Sequence, residues 1–362
     1  MSEKQYTSDD ISVLSDREHL RLRISMYAGN TNTTSYMMPN FTDNKFDITK
    51  VEFVPAALKC INEIRDNSSD ELMQIDRPNK RIDITADVAN STYTIADNGR
   101  GVPIDVHRDT GLPTPQTVFG SLRSGRNFGD EKTAGVIGMN GIGSSMTNYV
   151  SDFFRIHINR DNKQYTQEFT EGALNVTPPV IKSKKSKETG TSITFKLDDS
   201  VFSNTIIPEV VMHNNAIEVA FNNPGVLVTY NGDEYKFKNG LTDVIKNISS
   251  QSFSFANAAM NFNVIFDLCD EQDEQVFVYC NGSYLWEGGC ANTQFTAAFF
   301  DKVIDHLSRA AKAQKCEVTK ADIRGGLLII GSLKLTNPNF DSQAKTRLTG
   351  PYLRKDFDVL LD

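Results

Sequence analysis

Four segments of this 362-residue chain carry residue types at spacings that chemistry can use. In the first, Glu63, Asn67, Asp70 and Glu71 recur at intervals of four, three and one, which lines them along one helix face. A carboxylate one turn before an amide can position a water molecule, and the amide oxygen is a hard ligand suited to Mg²⁺. A solvated acidic face has the same pattern and is the commoner origin of it. In the second, Tyr93, Ile95 and Asp97 share one face of a strand that ends Asp97-Asn98-Gly99-Arg100-Gly101. With Ile95 inward, the Asp97 carboxylate enters an apolar pocket, where it needs a donor from the protein or from a ligand. The amino group of adenine is such a donor, and Gly99 and Gly101 let the backbone approach a flat ring. A tight Asp-Asn-Gly turn is an equal reading of this segment taken alone.

The third segment, Gly135-Val136-Ile137-Gly138-Met139-Asn140-Gly141-Ile142-Gly143, opens a helix. Glycines there let phosphate oxygens reach the unpaired N–H groups of a helix start. It is not a Walker A loop, which needs Gly-Lys-Ser/Thr after four residues, and Gly120 to Gly125 continues Arg126-Asn127 instead. In the fourth, Gly190-Thr191-Ser192-Ile193-Thr194-Phe195, Thr191 shares a face with Ile193 and Phe195, where an inward hydroxyl can complete the hydrogen bonding of Asp97, although a threonine in a strand is otherwise unremarkable.

These residues need rigid elements. Val13–Arg23 is expected to be a short helix capped by Ser15, with Glu18 three residues on. Apolar residues at Phe53, Ala57, Ile61, Ile64 and Leu72 mark a helix opposite the acidic face, with Pro55 tolerable only in its first turn. Strands are expected around 82–86, 93–97, 153–158, 163–169, 192–197 and 225–230, and helices over 144–151 and 208–221. The result is an α+β layer with helices against one face of a mixed sheet. The pattern restarts near Leu241. Strands are expected at 261–268, 275–279, 284–286 and 326–333, with Asn281-Gly282 as a turn and a long helix over 293–313. That places a domain boundary near residue 245, dividing 1–245, with an arm at 1–12, from 246–362.

Composition narrows the class. Hydrophobic residues at 39% and charged ones at 23% suit a globular protein, and no apolar run is long enough to span a bilayer, so no membrane role is expected. Cys60, Cys269, Cys280, Cys290 and Cys316 form no C-x-x-C pair, which fits a reducing cytoplasm. The net charge of -8 argues against a broad DNA-gripping surface; Lys182 to Lys187 is one local basic patch, more simply read as a solvated loop.

In order, the four segments resemble the GHKL (Bergerat) ATPase family shared by DNA gyrase, a heat-shock chaperone, sensor histidine kinases and the repair protein MutL. Within it the chain resembles the type II DNA topoisomerase branch along both halves. Glu18-His19-Leu20-Arg21-Leu22-Arg23-Ile24-Ser25-Met26-Tyr27-Ala28-Gly29 is similar to E-H-x-x-x-R-P-x-M-Y-I-G, departing at Ile24 and Ala28. Gln343-Ala344-Lys345-Thr346-Arg347-Leu348 resembles the Q-T-K-T-K-L loop of that branch. The resemblance implies a sandwich of helices on a mixed sheet, followed by a smaller transducer domain with a left-handed βαβ-like, ribosomal-protein-type fold.

It also implies roles. Glu63 matches the general base, Asn67 the Mg²⁺ ligand, Asp97 the adenine-reading carboxylate and Thr191 its helper. Glu71 and Arg100 match a salt bridge over the adenine, and Gly138, Met139, Asn140, Gly141, Ile142 and Gly143 the phosphate loop. Lys345 matches the lysine that reaches the γ-phosphate, with Gln343 beside it. Tyr6, five residues before Ile11, matches an arm tyrosine that crosses to a partner's ATP. Asn140, where bacterial gyrases have His, resembles what eukaryotic and bacteriophage large subunits carry, and of these a bacteriophage source, hence a host cytoplasm, is the preferred expectation. The implied function is an ATP-driven clamp that closes as a homodimer around a transported double-stranded DNA segment. Strand cutting lies in a separate DNA-cleaving subunit or region, since Asp356-x-Asp358 lacks the flanking pattern of a cleavage metal site. Competing expectations are a dimerisation module with little turnover and a MutL-like repair ATPase. A histidine kinase would need a phospho-acceptor helix, and none of the five histidines lies in one.

Overall fold

A computed structural model describes residues 7–124, 141–266, 273–313 and 315–362. The chain enters through α1 (Asp16–Leu22) and α2 (Ser25–Ala28). Ser15 caps α1 as expected: its hydroxyl accepts from the Glu18 N–H, and the Glu18 carboxylate accepts from the Ser15 N–H at 2.9 Å. A hairpin of β1 (Thr34–Asn40) and β2 (Asp47–Phe53), which the sequence pattern did not announce, leads into the long helix α3 (Pro55–Met73). Pro55 stands at the start of α3, where its missing N–H costs nothing.

The main sheet follows. Its strands are β3 (Arg81–Asp87), β4 (Thr92–Asp97), β5 (Ser151–Arg160), β6 (Lys163–Thr170), β7 (Asn175–Val176), β8 (Val180–Ser183), β9 (Gly190–Leu197), β10 (Leu227–Tyr230) and β11 (Asp233–Tyr235). Their order is β11-β10-β3-β4-β9-β5-β6-β7, with β8 also paired to β6, and β10 runs parallel to β3 while the other pairs are antiparallel. α4 (Thr114–Gly120) and α5 (Gly143–Tyr149) fall between β4 and β5, and α6 (Glu209–Asn222) between β9 and β10. Alternate strand residues such as Ile84, Tyr93, Ile95, Phe154, Ile193 and Phe195 bury one face in a core shared with Ile61 and Ile64 of α3, Met146 of α5 and Ala216 of α6. The other face keeps polar pairs such as Thr94 with Thr194 at 2.9 Å.

α7 (Leu241–Ile248) leads to a second sheet of β12 (Ser252–Ala256), β13 (Met260–Ile265), β14 (Gln275–Cys280), β15 (Ser283–Tyr284) and β16 (Leu328–Leu333), ordered β12-β13-β16-β14-β15. β14 and β16 are parallel neighbours, so α8 (Cys290–Ala313) and α9 (Ala321–Arg324) form the crossover of a βαβ unit. A short pair, β17 (Asn339–Phe340) and β18 (Leu348–Gly350), and α10 (Arg354–Leu360) complete the chain. One face of this sheet packs Phe262, Val278 and Ile329 against Phe295 of α8 and Phe357 of α10. The opposite face packs Phe277, Tyr279 and Ile330 against Ile217 and Phe221 of α6 and Val244 of α7. Residue 245, near which a division was expected, lies within α7. Asp358 lies on α10, where Arg354 pairs with it at 3.0 Å, one turn apart on a helix.

Candidate active site

α3 supplies the first group of side chains. An acidic face open to solvent was the simplest sequence reading, yet Glu63 and Asp70 are buried while Asn67 stays exposed. The reason is that both sides of α3 are covered: the main sheet packs on its apolar stripe, and α5 lies against its polar side. The Thr147 hydroxyl ties α5 to the Cys60 carbonyl of α3 at 2.9 Å. Asn67 donates its amide N–H to the Ser144 hydroxyl at 2.7 Å, so its carbonyl oxygen is the atom it presents. A Cβ on Gly143 would collide with the Glu63 carboxylate, so the first turn of α5 closes on that group only because the residue is glycine. The Lys59 ammonium sits 2.6 Å from Glu63 Oε1, one turn earlier on α3. Burial works against the Glu63 carboxylate, but Lys59 and then Lys345 outweigh it and hold its pKa below the ordinary range.

The second group forms around β4. Tyr93 and Ile95 are buried, and Asp97 follows them on the same face. Its Oδ1 accepts from the Gly99 N–H at 2.8 Å and its Oδ2 from the Ser68 hydroxyl at 3.2 Å. Burial pushes the Asp97 carboxyl up to about 6, with those two bonds acting in the opposite sense. The hydroxyl of Thr191 does not complete this set; it accepts from the Val102 N–H at 3.2 Å. Ser68 takes that place because α3 lies across the end of β4, which strand alternation alone does not reveal. Arg100 grips Glu71 through Nε at 2.8 Å and Nη2 at 3.0 Å, so this expected pair forms. A Cβ at Gly99 would collide with the Glu71 side chain, and Gly101 has φ +76 with a backbone carbonyl 2.8 Å from its would-be Cβ. Arg77 braces the turn from outside, donating to the Gly99 carbonyl at 3.1 Å and to Thr189 at 2.9 Å.

The third group comes from the far end of the chain. Lys345 is buried and holds a left-handed backbone at φ +60. Burial pulls its pKa down, as does Lys59, while Glu63, Asp66 and Asp70 of α3 pull it up. Lys345 and Glu63 therefore feel each other's charge, although they lie in different halves of the sequence. Gly29 makes the approach possible: its would-be Cβ stands 2.9 Å from that of Ala344. The Glu287 N–H donates to the Thr346 carbonyl at 3.0 Å and the Leu348 N–H to that of Gly288 at 3.1 Å, which fixes the loop to the second sheet. Gln343 is half-buried in the same loop.

Gly141 and Ile142 lead directly into α5, and the Ser124 N–H donates to the Gly141 carbonyl at 3.1 Å. Tyr6, Gly138, Met139 and Asn140 lie outside the described residues. Sequence reasoning passed over Lys59, Ser68 and Arg77. Lys59 stands four residues before Glu63, the one available signal, because that spacing makes helical ion pairs.

Residues 227–360 match the family model described as DNA gyrase B. A type 2 topoisomerase protein of Aquifex aeolicus, of the B type, is 27% identical over 362 residues, covering 95% of this chain and 42% of that protein. The DNA gyrase B protein of Spiroplasma citri is 27% identical over 374 residues, covering 97% of the chain and 54% of the relative. The chain thus spans about half the length of these relatives. Among solved structures, the ATPase region of Saccharomyces cerevisiae topoisomerase II superposes with TM-score 0.82 at 21% identity, covering 98% of both chains. The ATPase and transducer domains of Balamuthia mandrillaris topoisomerase II give TM-score 0.82 at 24% identity, covering 97% of this chain and 91% of that one. The chain thus carries a DNA gyrase B match towards one end, is similar in sequence to B-type proteins of type II DNA topoisomerases along nearly its whole length, and shares the fold of the ATPase regions of topoisomerase II.

Proposed function

We propose that this chain binds and hydrolyses ATP, and that nucleotide binding closes two copies into a clamp around a double-stranded DNA segment. The observation that carries the reading is the convergence of Glu63, from α3, and Lys345, from the loop after β17, in one buried charged cluster. Asp97 is the adenine reader: burial holds its carboxyl up at about 6, and the amino group of an adenine is a donor that would join those already facing it. Ser68 and the Gly99 N–H hold that carboxylate in place, while Thr191 lines the same strand end. Glu71 and Arg100 form the lip of the pocket.

Glu63 acts as the base that takes a proton from the water attacking the γ-phosphorus, while the leaving oxygen stays with ADP. Lys59 and Lys345 keep Glu63 ionised at neutral pH, the state a base needs. Lys345 stabilises charge on the γ-phosphoryl oxygens, and Gly141 to Gly143 border the phosphates; positioning and charge do most of the work in such a transfer. Asn67 is the residue suited to hold Mg²⁺, because its exposed carbonyl oxygen is a hard donor beside Glu63. Bound there, the metal supplies charge neutralisation along the triphosphate. Residues 1–245 form the nucleotide domain and 246–362 a transducer, and DNA cleavage is the work of a separate subunit or region. No helix among the described residues is long and apolar enough to cross a membrane, and a cytoplasmic setting suits ATP and DNA alike.

The test is Glu63→Ala. ATP turnover should fall at least about a hundredfold while a non-hydrolysable ATP analogue still binds. Turnover near the wild-type rate would remove Glu63 from the mechanism. The same analogue, added to the wild-type chain, should shift its solution mass from monomer to dimer; unchanged mass at saturation counts against the clamp.

A further inference from the structure

α6 joins the two cores with polar side chains where apolar ones are usual. Asn214, Asn215, Glu218 and Asn222 are all buried, with Asn214, Glu218 and Asn222 one turn apart on one face. Their bonds reach several other elements. Asn215 donates to Asn62 of α3 at 3.0 Å, and Asn214 accepts the Phe41 N–H at 3.0 Å. Glu218 Oε1 accepts from the Tyr279 hydroxyl of β14 at 2.8 Å and from the Asn214 amide at 2.8 Å. Asn222 accepts from the Ser332 hydroxyl of β16 at 2.6 Å. Such a seam is no stability device: burial pushes the Glu218 carboxyl up to about 7, against the pull of Tyr279, of Arg65 on α3 and of Asn214. Apolar residues of similar volume hold two cores together at least as well, whereas directional bonds hold them in one register.

What that register controls follows from the covalent path beyond Tyr279. Tyr279 pairs with Tyr284 across the β14–β15 turn. The chain then passes Trp286 to Glu287 and Gly288, the residues whose backbone bonds hold Thr346 and Leu348, immediately after Lys345 in its loop. On the other side of the seam, Arg65 and Asn62 belong to α3, the helix that carries Glu63. Lys59, Arg65, Glu218, Tyr284 and Lys345 border one small cavity.

We infer that Glu218 is a positioning residue for hydrolysis, fixing through Tyr279 and the β14–β15 turn where Lys345 stands relative to Glu63. The inference rests on the proposal above that Glu63 and Lys345 act on one nucleotide. It touches neither ATP nor the attacking water, so its removal should damage turnover and spare binding.

The experiment measures steady-state ATP hydrolysis and titrates a non-hydrolysable ATP analogue for Glu218→Leu, Tyr279→Phe, their combination and Glu218→Gln. Glu218→Leu and Tyr279→Phe should each lower kcat about tenfold, with analogue affinity within about twofold of wild type. The combination should be no worse than the poorer single variant, because both break one bond. Glu218→Gln keeps an oxygen able to accept from both Tyr279 and Asn214, so it should retain at least about half of kcat. Wild-type kcat in folded Tyr279→Phe overturns the inference, as does a parallel loss of kcat and affinity. Tyr279→Phe loses only a hydroxyl, so it decides the matter should the leucine variant fail to fold. Turnover surviving in Glu63→Ala sinks the reaction assignment itself; a dead Glu63→Ala beside a fully active Tyr279→Phe sinks the positioning role alone. If the wild-type chain turns over no ATP, the Trp286 emission change on analogue binding becomes the readout, and its persistence in Tyr279→Phe overturns the inference.

Discussion

Asp97 and Glu63 are both desolvated carboxylates, and their neighbours send them in opposite directions. Asp97 is raised from 3.8 to about 6 by burial, beyond what the Gly99 and Ser68 bonds recover. Between those two values the native state holds a proton that the unfolded chain has lost, so stability falls as pH rises through that window. Asp97→Asn removes this cost, and its amide still offers an oxygen to the Gly99 N–H. The variant should therefore gain on the order of 1–3 kcal/mol over wild type above pH 6 and nothing near pH 3.5, read from urea unfolding at the two pH values. It should also lose at least about tenfold in ATP affinity, since the adenine contact loses its charge. Equal stability at both pH values would mean that Asp97 is not strained by burial. Glu63 is held by Lys59 and bounded by Gly143, and there the constraint is space. A methyl at Gly143 must push the carboxylate aside, so Gly143→Ala should cut hydrolysis at least about tenfold; unchanged kcat would show that Glu63 has slack.

At the scale of elements, local rules carried α1, α3, β3, β4, β9 and α6, because each is signalled within its own span. The Ser15–Glu18 capping box, Pro55 at the start of α3 and the alternation of Tyr93, Ile95 and Asp97 are of this kind. The hairpin of β1 and β2 was not legible. Pro39 lies within its first strand, where the sequence argues against one, and its aromatic residues Tyr36 and Phe53 find their partner in Trp286, more than two hundred residues away. The buried acidic side of α3 was hidden for a similar reason. Periodicity reports an apolar face, but it does not say whether the opposite face meets water or a second layer. The Ser68 hydroxyl rather than that of Thr191 serves Asp97, because of where α3 crosses β4, and Thr191 contributes only through its backbone. The entry signature around Gly29 was legible as a motif, but its physical reason emerges only from packing. Gly29 has φ +88 and faces Ala344, so Gly29→Ala pays in backbone strain and in a displaced loop. We expect a loss of about 1–3 kcal/mol in chemical denaturation, together with reduced turnover. A variant as stable as wild type and fully active would show that the Ala344–Lys345 loop does not depend on this contact.

For the whole molecule, the decisive question is whether the two sheets move relative to each other when nucleotide arrives. The chain contains one tryptophan, and it sits at the joint. Trp286 packs 4.9 Å from Tyr36, 5.2 Å from Phe53 and 4.6 Å from Tyr284, so rings from both halves surround it. Next along the chain is Glu287, whose N–H holds Thr346 beside Lys345. A γ-phosphate that draws Lys345 towards α5 must pull on this segment, because only differential contacts with the nucleotide can favour one arrangement over another. Saturating a non-hydrolysable ATP analogue should therefore change Trp286 emission, whereas ADP, lacking the γ-phosphate, should produce a smaller change or none. Lys345→Ala should bind the analogue through Asp97 and still show the ADP-like signal. Identical emission with the analogue and with ADP in the wild-type chain would mean that the second sheet does not sense the γ-phosphate, and the clamp would need another trigger.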